Sequence, residues 1–189
     1  AQIPVTDAAN ITQSIVNSVT ELVQTSTTAE NMIGNFKETM KIYRQGKEYY
    51  DRLRNVTHLV RDARKVQQSI LLVGELSDIY VTSYDKMLTD DNFSSQELSA
   101  IAAGYNKLLE RGMNSLKDLK EIINPTDYSM TDKERLDRID QAHGELTHTR
   151  DLMVYYTRKN ISVSYLRSQR KNDTQRVLDL YGSADEKYW

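Results

Sequence analysis

Residues 89–98 read "TDDNFSSQEL". Ser94 and Glu97 have the spacing of a capping box, in which the Ser hydroxyl accepts from an N–H of the first turn and the carboxylate reaches back to the cap's own N–H. Phe93 and Leu98 flank this pair where a hydrophobic staple would close it. The stretch therefore predicts a break between two helices, the second starting at Ser95. Upstream lies "SILLVGELSDIYV" (69–81), the most apolar run of the chain. It reads as a well-buried helix continuing through Met87 and Leu88.

Downstream, Leu98, Ile101, Ala102, Tyr105, Leu108, Leu109, Leu116, Leu119 and Ile123 recur at helical spacing. Asn124-Pro125 stops the pattern, because a residue before proline avoids the helical region. "SMTDKE" (129–134) repeats the capping signal with Thr131 and Glu134. The helix behind it carries Leu136, Ile139, Leu146, Met153 and Tyr156. "NISVSYL" (160–166) alternates like a strand, but no partner strand is visible elsewhere, so helix is expected there too. Asn172 and Asp173 are expected to cap a last short helix ending at Gly182.

Toward the start, Thr6 and Asp7 are N-cap types, with Pro4 ahead of them. Behind them, Ile11, Ile15, Val19, Leu22, Ala29, Ile33, Phe36, Met40, Tyr43 and Tyr50 form a near-heptad stripe, interrupted by Ser26 and Lys47. Such a narrow stripe suits a long helix leaning on one or two others. Gly34 and Gly46 each cost about 1 kcal/mol in a helix interior, which marks where a kink would fall. Val56, Leu59, Val60, Ala63, Val66, Ile70 and Val73 resume the pattern, as a continuation of the first helix or as the start of a second. The expected fold is all-α: an elongated bundle of about four to five helices with a long N-terminal helix. It forms a single domain over 1–189, with an extended segment at 1–7 and a tail at 183–189.

With 39% hydrophobic and 28% charged residues, the chain of 189 has the composition of a globular protein. No run approaches the ~18 apolar residues a membrane span needs. Cysteine is absent, which removes disulfides and thiol chemistry. Five N-x-[ST] sequons, at Asn10, Asn55, Asn92, Asn160 and Asn172, fall in an Asn- and Thr-rich chain, several inside helical pattern, and are read as chance. The net charge of −2 hides a pattern: residues 41–65 sum to +5, residues 75–145 to −7 and residues 146–176 to +5.

The sequence carries no recognisable motif of catalytic or metal chemistry. His143 and His148 lie about 140° apart around a helix, whereas a helical zinc pair needs a spacing of four; His58 is isolated. Asp90, Asp91 and Asn92 lack the alternation, the glycine and the closing glutamate of a calcium loop, so turn and cap roles are assigned to them. There is no phosphate-binding glycine loop and no G-x-S-x-G elbow. The chain is read as a non-enzyme without cofactor or metal. Two features are left. "YYTRKNISVSYLRSQRKNDTQR" (155–176) interleaves tyrosines with cations, the composition of a stacking and phosphate-binding surface. The alternative is a solvated or ion-paired face with packed tyrosines, which the pI of about 6.0 favours over a nucleic-acid role. Tyr165, Arg167, Arg170 and Lys171 are its candidate contact residues. The chain also ends on Tyr188 and Trp189, which either tuck onto the bundle or anchor a partner.

"AQIPVTD", "QGKEYYDRL", "LVRDARKVQQSILLVGELSDIYV", "ELSAIAAGYNKLL", "SMTDKERLDRID", "YYTRKNISVSYLR" and "LYGSADEKYW" resemble the TraI-like transfer proteins of Bacteroidetes conjugative transposons, a family distinct from the relaxase of that name. These resemble, more distantly, the TrbJ-type minor pilus subunits of type IV secretion systems. The resemblance spans nearly the whole chain, and none of its strings carries chemistry. It implies an exported helical component of a mating apparatus, in the periplasm or at the cell surface. It implies partners among the other proteins of that apparatus; self-association is a separate expectation, from the near-zero net charge and the narrow stripes. It also implies that "AQIPV" is a mature end whose signal peptide has been left off, Ala1 being its last residue or a tag remnant. Two other readings stand beside it: a cytosolic nucleic-acid-binding helper of conjugation using residues 155–176, and an enzyme with a dispersed site acting on cell wall or glycan.

Overall fold

The computed structural model describes residues 63–123 and 131–183, together with the single positions 34 and 41. Apart from Gly34, which is helical and exposed, the long N-terminal stripe, the kink site at Gly46 and the join near residue 56 lie outside the described residues. Within them the chain is all-α, as its periodicity predicts. The elements are α1 (Ala63–Leu88), α2 (Ser95–Ile123), α3 (Asp132–Arg170) and α4 (Thr174–Tyr181).

The contacts give the topology. Lys65 pairs with Asp140, Glu75 with Arg150 at 3.9 Å, and Ser164 donates to Asp90. The offset between partners stays nearly constant, so α1 and α3 run parallel and in register. Ser115 meets Glu145, Tyr105 meets Thr157, and Arg167 meets Glu97. Here one number rises as the other falls, so α2 runs antiparallel to both neighbours. The result is an up-down-up bundle in which α3, 39 residues long, spans roughly 58 Å at 1.5 Å per residue.

Both capping boxes form. Ser94 Oγ accepts from Glu97 N at 3.2 Å, and Glu97 Oε2 accepts from Ser94 N at 2.9 Å. Thr131 and Glu134 repeat this ahead of α3. Phe93 and Leu98, the expected staple, are both buried. α2 ends at Ile123, one residue before Asn124-Pro125. The alternating 160–166 segment is helical, since the bundle offers it two helices to pack on and no strand.

Two expectations change in detail. Leu136 does not join the seam and is 41% exposed. Asn172 does not cap α4; it ends α3. Its φ is 56°, the left-handed conformation that Asn tolerates better than most residues. Asp173 N donates to Ser168 O and Asn172 N to Gln169 O, the paired bonds of a Schellman motif. Asp173 stands at the α4 N-cap but makes no side-chain cap bond; its carboxylate accepts from Arg176 Nε at 2.6 Å instead. Gly182, at φ 87°, ends α4 as expected.

The seam of α3 consists of Ile139, Ala142, Leu146, Thr149, Met153, Thr157, Ile161, Ser164 and Ser168. It thus turns small and polar toward the C-terminal end. Large side chains from the other helices fill the space this leaves. Tyr80 stacks on Tyr105 at 4.7 Å, and Tyr84 and Tyr156 meet Tyr105 edge-on. Each of three hydroxyls in this cluster bonds across a helix boundary: Tyr84 to Leu98 O, Tyr156 to Ile101 O, and Tyr105 with Thr157 Oγ1 at 2.6 Å. Gly104 lets Tyr156 approach so closely, since a Cβ there would lie 2.2 Å from the Tyr156 oxygen.

Candidate functional site

The chemistry-bearing residues gather at one end of the bundle, around the turn of residues 89–94. Asp90 is its hub. The chain turns back as Asp90 N donates to Met87 O and Phe93 N donates to Asp90 O. This tight turn points the Asp90 side chain inward, where it is fully buried. A buried carboxylate costs several kcal/mol unless it is paired and hydrogen-bonded. Asp90 Oδ2 accepts from Tyr181 OH at 2.7 Å and from Ser164 Oγ; Oδ1 accepts from Asn92 N at 3.0 Å. Arg176 lies 3.6 Å away and supplies the opposite charge. One side chain thus ties the α1–α2 turn to α3 and α4.

Asn92 does the same for the outer part of the turn. Its Nδ2 donates to Ser164 O and Oγ, its Oδ1 accepts from Lys171 Nζ at 2.9 Å, and its carbonyl accepts from Arg167. The Arg167 guanidinium grips Glu97 with both ends, at 2.6 and 3.0 Å, the planar fork matching the carboxylate. Arg167 and the backbone N–H of Ser94 together hold the Glu97 carboxyl down at about 2. The same pairing raises Arg167 further. Burial, followed by the bond to Asp90, pushes the Tyr181 phenol up.

Of the predicted contact residues, then, Arg167 and Lys171 are engaged within the chain. Tyr165 is half-buried and packs against the core. Arg170 is exposed. Tyr188 and Trp189 lie outside the described residues. Sequence reasoning gave Asp90 and Asn92 turn roles and did not anticipate their contacts to α3 and α4. Ser164 and Ser168 were missed, although their spacing from Thr157 and Ile161 continues the seam and could have revealed them.

A cleft of about 150 Å³ lies between α2 and α3, lined by Asp118, Ile122, Arg138, Gln141, Ala142 and Glu145. It is smaller than the ~300 Å³ at which small-molecule pockets usually begin. Glu145 there already accepts from Ser115 and Gln141. Among the described residues no group of three or more His, Asp or Glu could hold a metal, and no helix is long and apolar enough to cross a membrane. The polar end is built to fasten helices: its buried acid faces hydroxyls, an amide and a cation of its own chain.

A family model described as a domain of unknown function (DUF4141) matches residues 1–36. No curated protein and no solved structure matches the chain.

Proposed function

We propose that the protein is a non-enzymatic interaction component of a conjugative DNA-transfer apparatus of the type IV secretion kind. In this reading it is exported and serves as a minor pilus or periplasmic assembly subunit, working through contacts with other proteins of the apparatus. The sequence strings that resemble the TraI-like transfer proteins motivate the role. The structural observation that carries the non-enzymatic part is the engagement of the polar end: Asp90, Asn92, Glu97, Arg167, Lys171 and Arg176 bond to one another or to their own helices. The same observation weakens the nucleic-acid reading, which needs Arg167 and Lys171 for phosphates.

Transfer frequency in a deletion strain complemented with variants tests the role. Loss of the protein is expected to lower transfer. A chain lacking Tyr188 and Trp189 should lower transfer at unchanged thermal stability if these residues anchor a partner, or lower stability if they tuck inward. Undiminished transfer without the protein would overturn the reading. So would salt-sensitive binding of the intact protein to single-stranded oligonucleotides, the signature of phosphate contacts.

A further inference from the structure

The large apolar side chains left exposed among the described residues all belong to α3: Leu136, Tyr155, Val163 and Leu166, with Tyr155 and Leu166 each 60% exposed. Three of them, with Gly144, His148, Leu152, Lys159 and Arg170, repeat at three- and four-residue steps along the side opposite the seam. Lys159 Nζ sits 5.4 Å from the Tyr155 ring centroid. Gly144 lies on this stripe in mid-helix, where glycine costs about 1 kcal/mol relative to alanine. Among the described residues nothing lies against it, for a Cβ there would meet no atom of theirs within 4 Å. Gly104 shows what such a position permits, because Tyr156 lies directly against it.

The charges of α3 are lopsided. Residues 132–151 hold six acidic and four basic side chains, whereas residues 152–170 hold four basic and none acidic. A parallel pairing of two such helices would set like charges together. An antiparallel pairing sets each basic half on the other's acidic half, and a two-fold contact of this kind is closed and finite.

We infer that two copies of the chain associate through the outer face of α3, with the two helices antiparallel and Tyr155 of each laid against Gly144 of the other. Gly144 and Tyr155 lie eleven residues apart, about three turns, and so within roughly 20° of one face. The two-fold axis then passes between residues 149 and 150. Lys159 falls within about a turn of the other copy's Asp137. Taken symmetrically about that axis, the face runs from Lys133 to Leu166, roughly 50 Å, room for the ~1,000 Å² that a specific interface needs.

The chain has no cysteine, so introduced ones report cleanly. Full-length Gly144→Cys and Tyr155→Cys proteins are mixed and treated with a short bismaleimide. The mixture should yield several-fold more cross-linked dimer than either variant alone, because like positions stand roughly 16 Å apart along the helix. In sedimentation, the intact chain should be dimeric, and Tyr155→Glu with Leu166→Glu should be monomeric with unchanged helix content, since both side chains are exposed in the single chain. Three results would overturn the inference: an intact chain that stays monomeric at its highest soluble concentration, a dimer that survives the double substitution, or equal cross-linking in all samples.

Discussion

Asp90 shows how one residue decides the end of the bundle. Its carboxylate has no access to water and accepts from three elements. Asp90→Ala would leave Tyr181 OH and Ser164 Oγ without their acceptor and Arg176 without its buried counter-charge. The expected loss is about 3 kcal/mol, in the range for breaking a buried ionic group. It should be read by thermal unfolding, with faster amide exchange over 174–181. An unchanged midpoint would show that the bonds to Asp90 do not hold α4. Little of this was legible in the sequence. "TDDNFS" announces a turn, and a turn explains its acids without any long-range contact. The partners stand some seventy to ninety residues away, and Ser and Thr at seam positions carry no hydrophobic signal to betray them.

The elements were far more legible than their contacts. Capping boxes act locally, and the residues that define them are neighbours in sequence, so the starts of α2 and α3 could be read directly. The end of α3 was misread because Asn172 suits both a cap and a left-handed stop, and only its φ separates the two. Packing between elements depends on shape that periodicity does not encode. Gly104 is the example: nothing in "AIAAGYNKLL" says that Tyr156 will lie on it. Gly104→Val would drive side-chain atoms into the Tyr156 ring, lever α3 from α2 and break the bond from Tyr156 to Ile101. A destabilisation of about 2 kcal/mol or more is expected, typical of overpacking. Pairing it with Tyr156→Ala tests the mechanism. The second change should cost less in the Gly104→Val background than in the parent chain, and simple additivity would contradict the clash.

At the scale of the whole molecule, stability should fall toward both extremes of pH. On the acid side, Glu97 has its folded value lowered from the ordinary 4.5 to about 2. The stability it contributes is therefore present above about pH 4.5 and is lost as pH falls toward 2. The Glu97 and Arg167 side chains are each 40% exposed, so screening by water keeps this below about 1 kcal/mol. On the alkaline side, burial raises Tyr80, Tyr84, Tyr105 and Tyr181 above their ordinary value of 10. Above pH 10 the unfolded chain releases these protons and the folded chain keeps them. Each such tyrosine then costs up to about 1.4 kcal/mol of stability per pH unit. Denaturant unfolding from pH 8 to 11 should show that steep loss, together with a further rise in phenolate absorbance on unfolding. Ionisation of all twelve tyrosines in the folded protein near pH 10 would contradict the closed tyrosine core.

Among the described residues, the architecture that results is a bundle fastened at one end by its own polar groups, with exposed apolar side chains along α3. Such a molecule suits a part that is assembled with others, and the proposed role places that assembly outside the cytoplasm. Fractionating conjugating cells of the native host, probing with antibody and labelling intact cells with the same antibody tests this most directly. The account predicts protein in the periplasmic, envelope or surface fraction, with surface labelling if it joins the pilus. Protein confined to the cytosol would contradict it.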